Sequence, residues 1–236
     1  MPSKEPKVWQ DDVERAKRLL PSGRVLVVSV VATPEADWTR DDIADDFVRC
    51  ARWAKDSGAD AIEANLSCPN VCTQEGQLYT SPAISQFIAA RMRDAIGPIP
   101  LILKIGLFGD SDAASQFLAA VRNQATALST VNSISAVVER AGGGVAFEGL
   151  MRGVGGECIR DRSCLELRRL YKMLREMNCN LRLIGVGGVS AAKDVRERIQ
   201  AGAHHVQIAT AAMLDPQIAI KIRRELSAET SWREAL

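Results

Sequence analysis

The sequence predicts an α/β protein with a parallel sheet, because six short β-branched apolar runs alternate with longer segments of helical periodicity along its 236 residues. The runs fall at 24–32 (RVLVVSVVA), 59–66 (ADAIEANL), 99–105 (IPLILKI), 129–135 (STVNSIS), 181–187 (LRLIGVG) and 204–210 (HHVQIAT). A closed parallel barrel of this class has eight strands in about 250 residues. Six runs in this length fit either an open doubly wound sheet or an incomplete barrel. Two observations favour the barrel: polar residues gather where the runs end, and the last two runs each lead into a turn suited to an anion.

Each helical segment has its own warrant. In 12–20, Val13, Ala16, Leu19 and Leu20 share a face, and Pro21 stops the helix. Residues 40–57 follow Thr39 as N-cap, with Asp41 and Asp42 in the first turn where the helix dipole favours carboxylates, and Gly58 closes the segment. Further helices are expected at 82–96, 111–128, 163–177, 191–201 and 216–226. The segment 136–158 is rich in glycine and lacks periodicity, which marks it as a functional loop.

Composition narrows the function classes. A net charge of +1 lacks the basic stripe of a nucleic-acid-binding surface. No run reaches the roughly 18 apolar residues of a membrane span. The first dozen residues, MPSKEPKVWQDD, have no apolar stretch behind their lysines, unlike a secretory signal. Six scattered cysteines in a chain of this size do not read as a disulfide framework, so a reducing, cytoplasmic setting is expected.

In a barrel, ligand chemistry belongs at the C-terminal ends of the strands. There the sequence places Asn65 leading into Ser67, Cys68 and Asn70, then Lys104, Asn132 and Ser133, Gly187 with Gly188, and Thr210. A lone cysteine ordinarily packs as a small hydrophobe, and Cys50, Cys158, Cys164 and Cys179 are read so. Cys68 differs, because it sits in a loop among hydrogen-bonding groups and precedes Pro69. Cys68 and Cys72 do not make a zinc site, since His204 and His205 are adjacent at a strand start and other ligands are missing. An ammonium at Lys104, inside an apolar strand, calls for an anionic or electron-rich partner; a side chain snorkelling to water is the plainer alternative. In 184–192 (IGVGGVSAA), a strand, a glycine pair and a helix start let backbone approach an anion held by the first helical N–H groups. VQIAT at 206–210 repeats the arrangement, and two such successive loops form the usual phosphate site of the last two barrel strands.

Taken together, NLSCPNV (65–71), LILKIG (101–106), VNSIS (131–135), RGVGG (152–156), IGVGG (184–188) and VQIAT (206–210) resemble the dihydroorotate dehydrogenases in order and spacing. The match runs from about Arg24 to the C-terminus, and Cys68 points to the soluble, cysteine-type class. The resemblance implies a single FMN-binding (β/α)-barrel-type domain over 1–236, oxidising dihydroorotate to orotate in pyrimidine biosynthesis. Cys68 resembles the catalytic base, which takes a proton from the carbon next to the substrate carbonyl while a hydride passes to flavin N5. Asn65, Asn70, Asn132 and Ser133 match substrate-binding positions, and Asn65 also touches the cofactor. Ser29, Lys104, Val131 and Gly156 match flavin contacts; Gly187, Gly188, Ala209 and Thr210 match the FMN phosphate cradle.

The chain also departs from the family pattern. Ala209 stands where the family has glycine, and the loop 71–79 (VCTQEGQLY) is altered in its middle. The first two βα units have no counterpart, which suggests a truncated member, an upstream start, or completion by a homo-oligomer or another chain. The electron acceptor stays open among fumarate, a nicotinamide through an iron–sulfur partner subunit, and quinone. Two alternatives to dihydroorotate oxidation remain. One is a flavin enzyme for another uracil-like ring, since dihydropyrimidine dehydrogenase and the tRNA dihydrouridine synthases share an Asn-x-x-Cys-Pro motif; the other is a non-catalytic remnant.

Overall fold

A computed structural model describes residues 4–35, 37–67 and 77–228. Cys68, Asn70 and the altered loop as far as residue 76 lie outside the described residues. In chain order the elements are α1 (Pro6–Leu19), β1 (Val27–Val30), α2 (Arg40–Asp56), β2 (Ala61–Asn65), α3 (Pro82–Ile96), β3 (Leu101–Ile105), α4 (Ser111–Val121) and β4 (Ala127–Thr130). They continue with β5 (Ile134–Ala136), β6 (Arg152–Val154), α5 (Arg160–Glu176), β7 (Arg182–Gly185), α6 (Ala192–Gln200), β8 (His205–Val206), α7 (Thr210–Leu214) and α8 (Ile218–Ala228). Six strands form one sheet in the order β1-β2-β3-β4-β7-β8, and β5 with β6 forms a separate antiparallel pair. The repeated strand–helix alternation and the parallel pairings of β1 with β2, β2 with β3 and β7 with β8 are those of an incomplete TIM-type barrel, two strands short of eight. The chain divides into two compact units, residues 1–128 and 129–236.

In the first unit the helices start where local chemistry satisfies their orphan N–H groups. Thr39 and Asp42 form a capping box, the Thr39 Oγ1 accepting from Asp42 N at 3.3 Å and the Asp42 carboxylate accepting from Thr39 N at 2.8 Å. Asp110 caps α4 through Ala113 N at 2.8 Å, and Pro82 opens α3. The helix expected at 12–20 begins earlier, at Pro6, whose fixed φ suits a first helical turn. Trp9 then lies 6.2 Å from Trp53 of α2, and Lys17 ion-pairs with Asp60 at 2.5 Å. Asp60 also accepts from Leu26 N at 2.7 Å, joining α1 to the starts of β1 and β2. Ile62, Leu101, Leu103 and Ile105 of the strands and Phe47, Ile88, Met92 and Phe117 of the helices are all essentially without solvent exposure.

Two expected elements are redrawn around β4. The helix expected at 111–128 ends at Val121, and Thr126 N donates to Leu101 O at 2.8 Å to begin the next strand. Ala125, Ala127 and Leu128 prolong the apolar spacing of α4, which is why periodicity overran the turn. The strand expected at 129–135 is instead β4, ending at Thr130. The sheet bonds close there, with Val186 N to Thr130 O at 2.7 Å and Val131 N to Val186 O at 3.3 Å. The chain then leaves the sheet through Asn132 and Ser133, and β5 pairs with β6, giving the glycine-rich segment 136–158 a hairpin framework. The run 204–210 keeps only two strand residues before Thr210 opens α7.

Candidate functional site

The first unit carries a polar row on one face of its sheet. Pairing puts Ser29 beside Glu63 and Asn65 beside Lys104, and alternation places Glu63 and Asn65 on the same side of β2. Ser29 Oγ donates to Glu63 Oε1 at 2.8 Å, and Lys104 Nζ lies 3.7 Å from the same oxygen. Glu63 is only 3% exposed, so its carboxylate is the anionic partner that Lys104 requires. Sequence reasoning missed Glu63. The signal was present: a carboxylate two residues before Asn65 and on the same face of the strand.

Asn65 is held by the turn that follows it. Its Oδ1 accepts from Ser67 N at 3.1 Å, which fixes the amide and leaves Nδ2 as the donating end. Ser67 is fully buried, and its Oγ donates to Gln77 Oε1 at 3.1 Å, tying together the two ends of the segment that contains Cys68 and Asn70. Tyr79 donates to Leu107 O at 2.7 Å, and its ring meets Phe108 edge-on at 5.3 Å. Gly106 is required here, since a Cβ would lie 2.6 Å from the Tyr79 hydroxyl oxygen. Ser29 itself is exposed, on a strand that ends the sheet order.

The second unit forms a cavity of about 140 Å³. Its lining unites Asn132, Gly156, Gly187, Gly188, Ala209 and Thr210, six positions singled out from the sequence. It adds Ser190, Gln207 and Glu157, which the sequence reading missed. Val131 is fully buried beside this lining, Ser133 is half-buried at the exit of β4, and Ser129 Oγ donates to Gln207 Oε1 at 2.7 Å. Gly187 and Gly188 have φ of +108° and +71°. A Cβ on Gly188 would come within 2.7 Å of the Arg160 Cα, a backbone clash that no rotamer relieves.

The turn between the glycine pair and α6 is closed by the chain itself. Ser190 N and Ala191 N each donate to Asp194 Oδ2 at 2.9 Å, so a carboxylate from the helix takes the two amides just before α6. Behind the loop lies Arg198, the largest fully buried side chain among the described residues. Nothing in its sequence context, a charged helix of the pattern DVRERIQ, distinguishes it from a solvated arginine.

The remaining cysteines divide. Cys164 is buried, Cys50 and Cys179 are half-buried, and Cys158 is exposed with Sγ 3.4 Å from Gly155 O, so Cys158 is not the packed hydrophobe expected. Burial, with the Asp46 charge adding to it, pushes the Cys50 thiol up to about 11, which leaves it unreactive near neutrality. Among the described residues no helix is long and apolar enough to cross a membrane.

Comparison with known proteins gives a consistent result. The family model described as dihydroorotate dehydrogenase matches residues 16–229. A dihydroorotate dehydrogenase of Dictyostelium discoideum is 31% identical over 227 residues, covering 94% of this chain and 60% of the relative. The catalytic subunit of dihydroorotate dehydrogenase B (NAD(+)) of Solidesulfovibrio magneticus is 30% identical, covering 78% of this chain and 58% of the relative. Dihydroorotate dehydrogenase A (fumarate) of Limosilactobacillus reuteri is also 30% identical, covering 77% and 58%. The chain thus spans about 60% of the length of the curated relatives it matches. The chain belongs to the dihydroorotate dehydrogenase family.

Proposed function

We propose that this chain binds FMN and takes part in the oxidation of dihydroorotate to orotate, with Cys68 as the base. The single observation that carries the reading is the shared cavity of the second unit, lined by Gly156, Gly187, Gly188, Ala209 and Thr210. Its volume of about 140 Å³ is well under the ~300–1,000 Å³ of a complete cofactor pocket. That size suits the phosphate end of a flavin mononucleotide. The glycine loop fits the same role, because its backbone reaches the cavity wall without a Cβ. Bound FMN would supply the two-electron acceptor that dihydroorotate oxidation requires.

The chain's own residues do the rest. Cys68 removes the proton from the carbon next to the substrate carbonyl; a free thiol titrates near ~8.5, so turnover rises with pH as thiolate forms. Asn65 presents Nδ2 to an acceptor such as the substrate carboxylate, because its Oδ1 is engaged by Ser67 N. Asn70, Asn132 and Ser133 complete the substrate contacts. With FMN bound, Lys104 would supply positive charge beside its ring, and Glu63, itself bonded by Ser29, lies 3.7 Å from the ammonium. The oligomer or partner chain expected from the sequence belongs to the same proposal, because β1 and β8 end the sheet order.

Turnover assays on flavin-loaded protein test the reading. Dihydroorotate is expected to be oxidised and dihydrouracil not; the reverse preference assigns the chain to another uracil-like ring. Cys68→Ser is expected to lose most activity at neutral pH while retaining bound flavin. Unchanged turnover in that variant removes the base assignment.

A further inference from the structure

Arg198 has no exposure at all, and among the described residues no carboxylate ion-pairs with it. A buried guanidinium without a counter-charge is costly and calls for a reason. Its Nη2 supplies one: it lies 2.6 Å from Gly187 O, 2.8 Å from Arg160 O and 2.8 Å from Ser163 Oγ. The guanidinium therefore joins α6, the start of α5 and the glycine loop. Nε and Nη1 are buried without a partner, so the side chain is held for its Nη2 contacts and its charge.

The geometry of one peptide turns this into function. Gly187 lines the cavity and Arg198 does not, so the Gly187 carbonyl that Arg198 binds is turned away from the cavity. In a planar trans peptide the next N–H points opposite to the carbonyl. The Gly188 N–H is thereby directed to the cavity side, and it has no acceptor among the described residues. Asp194 already occupies Ser190 N and Ala191 N, so those two amides of the turn are not open to a ligand.

We propose that Arg198 is the positioning residue of the phosphate cradle: a buried cation that clamps the Gly187 carbonyl and so aims the Gly188 N–H at a bound phosphate. The proposal rests on the FMN reading above and extends it to a residue that does not touch the ligand.

The test is titration of the full chain with FMN and with riboflavin, which lacks the phosphate. Arg198→Met is expected to weaken FMN about tenfold, the scale of a charge-assisted hydrogen-bond set, with little change for riboflavin. Arg198→Lys, which keeps a cation able to reach the Gly187 carbonyl, is expected to restore most of the FMN preference. Equal weakening of both flavins, or unchanged FMN affinity, overturns the proposal. If Arg198→Met is unfolded by circular dichroism, Arg198→Gln takes its place. Glutamine is shorter and carries no charge, so its FMN preference should fall, and a wild-type preference overturns the proposal. A wild-type chain that binds neither flavin refutes the FMN reading, and the cradle is then tested with inorganic phosphate by phosphorus NMR. Saturable binding lost in the variant supports the clamp; no binding by the wild type, or equal binding by both, overturns it.

Discussion

Several side chains act here through what they hold in place. Glu63 illustrates this for Lys104, and His204 does so for the sheet. His204 Nδ1 accepts the Leu183 N–H at 3.1 Å, which only a ring unprotonated at that nitrogen can do. Burial, followed by the Arg182 and His205 charges, holds its pKa below the ordinary value of 6.5. A group depressed in the folded state contributes stability that is complete above its unfolded pKa. That contribution is lost as pH falls through the folded value. The urea midpoint is therefore expected to drop as pH falls below about 6.5, and to drop less in His204→Asn, whose amide oxygen accepts without titrating. Equal drops in the two proteins would show that this histidine is not the linked group. The sequence marked His204 only as a poor metal ligand, because its partner is a backbone N–H brought in from the neighbouring strand.

At the scale of elements, what could be read from the sequence was what local chemistry determines. Thr39, Asp42 and Gly58 bound α2 as their residue types suggest, and the strands β2 and β3 lie within the expected runs. What could not be read depended on partners distant in sequence. β4 ends at Thr130 because its last bonds go to Val186, a pairing invisible in STVNSIS itself. Asp194 was likewise unreadable as the carboxylate that takes the two amides just before its helix, although it stands four residues after Ser190. Gly188→Ala probes the loop directly. Its Cβ would meet Arg160 backbone, and its φ of +71° disfavours any side chain. The melting temperature is expected to fall, with a destabilisation of about 2 kcal/mol or more. A variant as stable as the wild type would mean that the loop relaxes freely and is not a fixed cradle.

At the scale of the whole molecule, the six-strand order and the family agree with the reading from NLSCPNV, LILKIG and IGVGG. The sequence also gave the positions that gather in one cavity, because strand-end glycines and small polar residues carry a recognisable pattern. It did not give Arg198 or Glu63, whose roles come from burial against groups on other elements. Asn65 and Lys104 sit side by side in the first unit, while Asn132, Gly156, Gly187, Gly188, Ala209 and Thr210 meet in the second. The most direct measurement is the visible absorption spectrum of the full chain after equilibration with FMN and removal of free flavin by gel filtration. A stoichiometric flavin band in the wild type, absent from Gly188→Ala, is the expected result; a colourless wild-type chain would contradict the account.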